Sequence, residues 1–333
     1  MAQSLRLRKV HVVRSRMKAA RIISPGRYEV FEEAVPPVAR GRVRVRLLKA
    51  ALCGSDLPYF SNSYNPSGYP FPSGYPGHEC MGVVDVSECD EFKPGERVMY
   101  YPPALDAYKE YHIADPVRLQ KLPGDGDMNV LLMTQLLGAV SHCAFRIDRP
   151  SGKNVVIMGQ GSVGLLFTAL MRNFGAETII AADPLDYRLD AAKKMGADYV
   201  VNPSREDVEK TVSDITGGRM ADIVIEAYGQ QSAVINRCFD CACHNGQVAF
   251  FGICLEEAPP MNFNVFFRKE LRMVASVGPD LAIDYPYALR MILTKSIDVS
   301  PLLTHVLPFE EIQTAFEMAV NRRDNAIKII LDF

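Results

Sequence analysis

Three residues in the first part of the chain are of the types that bind a catalytic metal: Cys53, His78 and Glu79. Taken singly, each has an ordinary explanation, because an isolated cysteine at a strand end usually fills a small apolar space and a His-Glu pair usually lies at the surface. Cys53 and the His78-Glu79 pair, however, stand at predicted boundaries between a strand and a loop, where the backbone turns and exposes side chains. Thiolate, imidazole and carboxylate together suit zinc, and a zinc with an open coordination position polarises a carbonyl or stabilises an alkoxide.

A glycine-rich turn in the middle of the chain has the spacing of a pyrophosphate-binding loop. An apolar run leads into Gly159, Gly161, Ser162, Val163 and Gly164, and a helical pattern follows. Gly159 permits a tight reversal, Gly161 lets the backbone approach a pyrophosphate, and Gly164 lets the helix pack against the strand. The N–H groups at the start of the helix then face an anion. This context predicts a dinucleotide site, and the alternative is an ordinary strand–helix turn.

An acidic residue ends the second strand of this region, where the ribose of a dinucleotide would lie. The carboxylate of Asp183 can accept hydrogen bonds from both ribose hydroxyls and would repel a 2′-phosphate, which predicts NAD rather than NADP. Arg188, about one helical turn later, is counted with the cofactor site, although solvation or an ion pair is its simpler explanation. Asp183 also precedes Pro184, so it has the alternative or additional role of a helix N-cap.

The second half of the chain alternates short apolar strands with helical patterns. Strands are predicted at 155–158, 179–182, 199–201, 223–226, 248–251 and 273–277, and helices at 163–174, 185–195, 205–216 and 231–242. This rhythm predicts a parallel, doubly wound sheet whose first strand carries the glycine-rich turn. The run from Cys238 to His244 contains a CxxC pair, but without a second pair it indicates thiols on a helix rather than a zinc site.

The first half of the chain is rich in strands and turns. The alternation from Arg42 to Leu47 predicts a half-buried strand that delivers the chain to Cys53. The segment 59–77 is rich in Tyr, Ser, Asn, Pro and Gly and predicts a long functional loop that either shapes a pocket or is simply solvated. At the end of the chain we predict helices near 285–293 and 312–320 and a strand at 327–331.

Length and composition exclude several classes of function. A chain of 333 residues suits two domains, and a net charge of −2 gives no reason to expect binding to nucleic acid or a membrane surface. No apolar run reaches the roughly 20 residues that span a bilayer. Eight cysteines without a secretory signal predict reduced thiols and a cytoplasmic location. Residues 1–16 are basic but lack an amphipathic helical pattern, so we interpret them as an extension before the core.

In this order and spacing, the motifs resemble those of the zinc-dependent medium-chain dehydrogenases. The resemblance rests on Cys53-Gly-Ser-Asp, Gly77-His-Glu, the Lys93-Pro-Gly-Glu-Arg-Val turn and the later glycine-rich half, and it covers the chain from about Met17 onward. The branch of sorbitol, threonine and sugar dehydrogenases is the most similar, since its members have a glutamate directly after the zinc histidine.

The resemblance implies an α/β protein with two domains. A GroES-like, β-rich catalytic domain is expected from residues 17–134 and 279–333. A Rossmann domain with a doubly wound, six-stranded parallel sheet is expected from residues 135–278 and would bind NAD. The active site is then expected in the cleft between the two domains.

The resemblance also assigns roles to individual residues. Cys53 and His78 are expected to bind one catalytic zinc, and Glu79 is a third ligand or exchanges with water during turnover. Ser55 matches the hydroxyl that hands on the substrate proton. The remaining metal position of the family falls on Gln135, for which two readings stay open: a direct ligand, or an amide bonded to the water on the metal.

This chain departs from the family pattern at two places. The histidine that several relatives have five residues after the metal cysteine is Pro58 here, so proton release uses Ser55, the cofactor ribose, water or another group. The four-cysteine lobe that holds a structural zinc should lie between Val98 and Tyr111, and that stretch contains no cysteine. We therefore expect one zinc at most.

These observations support one leading hypothesis and two alternatives. The leading hypothesis is a zinc-dependent oxidoreductase that transfers a hydride between NAD(H) and a polyol, a sugar or another secondary alcohol or ketone. The first alternative is a metal-free, NADPH-dependent quinone or enoyl reductase of the same fold, and the second is a catalytically silent NAD-binding redox sensor. The resemblance also implies a homodimer or homotetramer assembled through the edge of the Rossmann sheet.

Overall fold

The computed structural model describes residues 15–61, 68–229, 233–255, 257 and 259–333. Most of the predicted N-terminal extension and part of the predicted loop 59–77 therefore lie outside the described residues. Within the described residues, no helix has the length and apolar character needed to cross a membrane.

Strands dominate the beginning of the chain. They are β1 (Arg16–Ser24), β2 (Arg27–Ala34), β3 (Val43–Ala51), β4 (Glu79–Ser87), β5 (Arg97–Tyr100), β6 (Tyr111–Ala114) and β7 (Leu119–Lys121). The helices of this region are α1 (Leu57–Phe60), α2 (Met128–Leu132) and α3 (Thr134–Ala144), with a 3₁₀ turn at Pro116–Arg118.

Strands and helices alternate in the next part. The strands are β8 (Asn154–Met158), β9 (Thr178–Ala182), β10 (Tyr199–Val201), β11 (Ala221–Glu226), β12 (Ala242–Phe250) and β13 (Arg272–Ala275). The helices are α4 (Ser162–Asn173), α5 (Asp186–Lys194), α6 (Val208–Thr216), α7 (Val234–Cys241) and α8 (Phe263–Arg268). The tail contains α9 (Asp284–Leu293), β14 (Leu303–Pro308), α10 (Ile312–Val320) and β15 (Lys328–Asp332), with 3₁₀ turns at Ser300–Leu302 and Phe309–Glu311.

Strand β3 is the centre of the sheet that carries the metal-binding residue types. It has the predicted alternation, with Val43, Val45 and Leu47 buried. The sheet order is β14-β15-β3-β4-β5-β7, with β6 also paired to β3. At its end, Ala51 lies opposite Glu79 of β4 and Ile330 of β15. The last strand of the chain is thereby inserted beside the first metal-binding motif.

The second sheet is parallel throughout, in the order β10-β9-β8-β11-β12-β13. The strand order reverses between β8 and β11, and ligands of such sheets bind in the crevice beyond the carboxyl ends of the strands at that point. The predicted six strands and the α/β class are confirmed. Strand β12 begins at Ala242, earlier than predicted, so Cys243 and His244 lie in a strand and not in the preceding helix.

Helices α3 and α9 pack closely against each other between the two sheets. A Cβ atom on Gly138 would lie 2.6 Å from Cδ1 of Tyr285, so only glycine allows this approach. Nδ1 of His142 lies 2.8 Å from Oδ2 of Asp284, which joins the same two helices. The contact places Gln135, at the start of α3, beside the end of β3.

Candidate active site between the two domains

Cys53, His78 and Glu79 are brought together by the pairing of β3 with β4. One ligand atom of each residue lies within 4.8 Å of those of the other two. Cys53 and His78 are partly exposed and line a cavity, whereas Glu79 is buried. Among the described residues this is the one cluster of three or more Cys, His, Asp or Glu side chains with metal-binding geometry. The donor set and its spacing fit a zinc ion.

Asp56 holds the imidazole of His78 and had no role in the sequence prediction. Its Oδ1 lies 3.3 Å from Nδ1 of His78, while Oδ2 accepts hydrogen bonds from the Cys53 backbone N–H at 3.0 Å and the Tyr108 hydroxyl at 2.8 Å. A carboxylate on one ring nitrogen fixes the orientation of the imidazole and leaves the other nitrogen for a metal. The signal for Asp56 was present, since it stands three residues after Cys53.

The ionisation of His78 is set by its two acidic neighbours. Burial lowers the pKa of the imidazole, but Asp56 and Cys53 together raise it well above its ordinary value. The cluster therefore carries concentrated negative charge, which a bound cation would neutralise as well as a proton does.

Glu79 is also paired with a cation that the sequence analysis missed. Nζ of Lys328 lies 2.7 Å from Oε1 and 2.6 Å from Oε2 of Glu79, and it donates to the carbonyl of Leu52 at 2.9 Å. Glu79 is 0% and Lys328 1% exposed. The Glu79 carboxylate thus lies between the metal donors and a buried ammonium group. No local motif could identify Lys328, because the contact depends on β15 lying beside β3.

Gln135 lines the same cavity as Cys53 and His78. It is buried, and its Oε1 has no hydrogen-bond partner within the part of the chain that the structure describes. The amide lies next to the hydroxyl of Tyr285, whose pKa is raised by burial and lowered to a smaller extent by Gln135. An unpaired buried oxygen at this point fits both readings of Gln135, as a metal ligand and as an acceptor for a metal-bound water.

Ser55 and Pro58 lie on the wall of this cavity as well. Pro58 occupies the first turn of α1, where it lacks any proton to donate, and Ser55 precedes that helix. Of these two side chains, only Ser55 carries a proton that could be transferred.

The glycine-rich turn forms the opposite wall. Gly159 has a φ of +95°, and a Cβ on Gly164 would lie 1.8 Å from the carbonyl oxygen of Gly159. By contrast, the nearest atom to a Cβ built on Gly161 is Nη1 of Arg188, at 3.9 Å. The backbone at Gly161 thus borders open space at the start of α4, which is the cradle that a pyrophosphate requires.

Asp183 lines this cleft but is not a free carboxylate. Its Oδ2 accepts from the Gln160 N–H at 2.8 Å and its Oδ1 from the Leu185 N–H at 2.9 Å, and the side chain is buried. Nη1 of Arg188 lies 3.6 Å from Oδ2 of Asp183. Arg188 is therefore ion-paired, which is one of the simpler explanations that the sequence offered for it. The carboxylate ties the turn to the end of β9, with a second lone pair left on each oxygen.

Ser162 and Val163 connect the cleft to the other domain. The hydroxyl of Ser162 donates to the carbonyl of Ile327 at 3.0 Å, just before β15. Val163 lines both the cofactor cleft, of about 250 Å³, and the cavity beside the metal donors, of about 360 Å³. The two spaces also share Cys53 and residues 227–229. They form one continuous cleft that runs from the glycine-rich turn to the metal donors.

The CxxC pair lies on helix α7. Cys238 and Cys241 are buried in α7, and burial raises the pKa of both thiols, to about 12 for Cys241. No metal-binding cluster occurs at these residues within the described chain. The interpretation as structural thiols agrees with this arrangement.

Two family models match the chain. The alcohol dehydrogenase GroES-like domain matches residues 39–124, and the zinc-binding dehydrogenase model matches residues 162–294. The sorbitol dehydrogenase of Bacillus subtilis (strain 168) is 27% identical over 350 residues, which cover 96% of this chain and 98% of the relative. The L-threonine 3-dehydrogenase of Anaeromyxobacter sp. (strain Fw109-5) is 27% identical over 338 residues, covering 92% and 96%.

Solved structures share the fold over nearly the whole length. L-Idonate 5-dehydrogenase from Escherichia coli K-12 superimposes with a TM-score of 0.85 at 21% identity, covering 96% of this chain and 98% of the other. Structures of this fold include complexes with NADH and with NADP. The predicted family, fold class and oxidoreductase activity on alcohols are confirmed. The chain belongs to the zinc-type medium-chain alcohol dehydrogenases, oxidoreductases that act on the CH–OH group of their substrates.

Proposed function

We propose that the chain is a zinc- and NAD(H)-dependent dehydrogenase of uncharged secondary alcohols or the corresponding ketones. The observation that carries the proposal is that Cys53 lines both the cofactor space and the adjoining cavity, which also contains His78. A hydride donor and a polarised alcohol oxygen must meet at such a point.

In this proposal Cys53 and His78 hold the zinc, Glu79 is a third ligand or exchanges with water, and Gln135 is a fourth ligand or bonds to the metal water. Zinc, when bound, polarises the alcohol oxygen, and the nicotinamide, when bound, accepts the hydride. The hydroxyl of Ser55 accepts the proton of the alcohol and passes its own proton on to the cofactor ribose or to water.

The preference for NAD is supported by Asp183. Its buried carboxylate lines the cofactor cleft beyond the end of β9, where it would repel a 2′-phosphate. Arg188 is engaged with that carboxylate at 3.6 Å and is therefore poorly placed to act as a phosphate receptor. We expect NADH to bind more tightly than NADPH, and titration of each nucleotide would measure the difference.

The substrate cavity supports an uncharged alcohol. Of the described residues that line it, only Asp56 and His78 belong to the Asp, Glu, His, Lys and Arg types, and both lie at the metal site. Much of the remaining wall is apolar, including Leu136, Phe251 and Ile253. A phosphorylated sugar or an amino acid would lack a partner for its charge in this part of the cavity. Sorbitol, the substrate named for one relative, satisfies this requirement, whereas L-threonine, named for another, does not.

The metal donors disfavour both alternatives. A metal-free reductase or a silent sensor has no need for a thiol, an imidazole and a carboxylate within 4.8 Å of one another beside the cofactor cleft. We also propose assembly as a homodimer or homotetramer through the edge strand β13, where Met273 is exposed, as is Phe267 of the preceding helix α8. The cytoplasmic location predicted from the cysteine content remains a prediction.

Metal analysis combined with a cofactor-reduction screen tests the proposed function. We expect about one zinc per chain and NAD reduction with secondary alcohols or polyols. Cys53→Ser should lose the zinc and reduce turnover by more than about 1,000-fold, since the metal contributes several kcal/mol of charge stabilisation. Cys89→Ser, at a half-buried cysteine outside the cluster, is the matched control. Full zinc content and turnover in Cys53→Ser would refute the mechanism.

A further inference from the structure

Glu226 is a buried carboxylate at the carboxyl end of β11, and the proposed reaction gives it no role. It is 1% exposed. Its Oε1 accepts the N–H groups of Tyr228 at 2.9 Å and Gly229 at 2.8 Å, and its Oε2 accepts the N–H of Gly252 at 2.9 Å. The two oxygens therefore bind two different loops, 227–229 after β11 and 251–253 after β12.

These two loops form the part of the Rossmann wall that faces the metal-binding residues. Both line the cavity that contains Cys53 and His78. The loop 227–229 also lines the cofactor cleft. A nicotinamide ring that faces the metal donors from the glycine-rich turn must lie against this wall.

The packing around Glu226 leaves little room for another arrangement of the loops. A Cβ on Gly252 would lie 2.4 Å from Oε2 of Glu226 and 2.4 Å from the backbone N of Gly229. A Cβ on Gly159 would lie 2.9 Å from Cα of Tyr228, so the loop 227–229 also rests on the glycine-rich turn. One carboxylate thus joins two loops beside the cofactor space, and one of these loops also rests on the glycine-rich turn.

We propose that Glu226 is a positioning residue for the cofactor: its two carboxylate oxygens hold the loops 227–229 and 251–253 in the spacing that the nicotinamide end requires. The inference rests on the proposed function, because it assumes that the cleft binds a nicotinamide dinucleotide. A carboxylate is needed because an amide offers one acceptor oxygen and one NH₂ donor. With a glutamine side chain, one of the two loops would face a donor instead of an acceptor.

Glu226→Gln tests the proposal directly. Bound NADH can be followed by its own fluorescence, because reduced nicotinamide is excited at wavelengths that protein side chains do not absorb. We expect the Kd for NADH and the KM for NAD to rise about 10- to 100-fold, the range for loss of a hydrogen bond to a charged group. The zinc content should not change, and kcat should change less than KM. Glu209→Gln, an exposed carboxylate on α6, should bind NADH like the wild type.

Gly252→Ala provides an independent variant in case Glu226→Gln does not fold. It keeps the carboxylate but inserts a Cβ between the two loops, and it should raise the Kd for NADH in the same direction. A Glu226→Gln protein that melts at a lower temperature but binds NADH with wild-type affinity would overturn the proposal. If only the Gly252→Ala protein folds, wild-type affinity for NADH in that variant would overturn it instead. Wild-type protein that binds neither NADH nor NADPH would instead refute the proposed function.

Discussion

The two walls of the cleft are built from different parts of the polypeptide. On the catalytic side, the atoms of the proposed metal site belong to side chains, those of Cys53, His78 and Glu79, and other side chains hold them in place. On the Rossmann side, the functional atoms are backbone groups of the glycine-rich turn and of the loops 227–229 and 251–253. The catalytic side should therefore be most sensitive to the removal of a side chain, and the Rossmann side to the addition of a side-chain atom to a glycine.

The two buried glutamates show the same contrast. Glu79 is neutralised by the ammonium group of Lys328, at 2.6 and 2.7 Å, so its charge depends on one other side chain. Glu226 has no such ion pair among the described residues and accepts three backbone N–H groups instead. Burial raises the pKa of Glu226, and those N–H groups partly offset the shift. A metal ion could take over the role of the side-chain cation beside Glu79, whereas the backbone donors beside Glu226 have fixed positions.

Removal of Lys328 should have the largest effect on stability. Lys328→Met leaves the Glu79 carboxylate buried without its cation, which should lower the free energy of unfolding by about 3–5 kcal/mol in metal-free protein. Saturating zinc should restore part of the loss, because a cation beside Cys53 and His78 also lies beside Glu79. Urea unfolding with and without zinc would measure both effects.

Lys49→Met is the matched control for that experiment. Lys49 lies in β3 and pairs with Asp332 at 3.0 Å, but the Asp332 side chain is 55% exposed. Its loss should therefore cost less than about 1 kcal/mol and should not respond to zinc. Equal destabilisation by the two substitutions would show that the buried pair has no special role on the catalytic wall.

The sequence predicted those parts of the site that are local in the chain. Cys53 and His78 stand at strand–loop boundaries, and the glycine spacing from Gly159 to Gly164 needs only one strand, one turn and one helix. For this reason the family, the fold class, the metal-binding residue types and the glycine-rich turn followed from short motifs. Asp56 could also have been predicted, because it stands three residues after Cys53 in the same motif. At that spacing its carboxylate can reach the imidazole of His78.

The groups that support the site were not predictable because they depend on long-range packing. Lys328 meets Glu79 across 249 positions of sequence, only because β15 inserts beside β3. Tyr285 reaches Gln135 only because Gly138 lets α9 approach α3. The role of Glu226 was not predictable either, since nothing in its immediate sequence shows that Gly252 lies beside it.

At low pH, protonation of His112 should destabilise the sheet that carries the catalytic wall. This residue lies in β6, beside β3, and burial lowers its pKa to about 4, with a smaller opposing contribution from Asp106. In the unfolded chain its pKa is about 6.5, so between pH 6.5 and 4 the unfolded state binds a proton that the folded state does not. The free energy of unfolding should therefore fall by up to about 3 kcal/mol as the pH decreases through that window, with no contribution from His112 above it.

His112→Gln isolates this contribution. Urea unfolding at pH 7 and pH 5 should show a loss in the wild type that exceeds the loss in the variant by about 2 kcal/mol. His244→Gln, at an exposed histidine in β12, should retain the full wild-type pH dependence. Identical pH dependence in wild type and His112→Gln would contradict the assignment.

Addition of a single methyl group should separate cofactor binding from folding on the backbone wall. Gly161 has a φ of −70°, which any residue adopts, and a Cβ there would have its nearest neighbour 3.9 Å away. Gly161→Ala should therefore leave the melting temperature of the nucleotide-free protein nearly unchanged while the Cβ occupies space that the pyrophosphate needs, raising the Kd for NADH by roughly 10-fold or more. Gly164→Ala should instead prevent the turn from forming, because its Cβ would lie 1.8 Å from the Gly159 carbonyl oxygen. If Gly161→Ala bound NADH as tightly as the wild type, the nucleotide would not approach the backbone at this glycine, and the contrast between the two walls would fail at its central point.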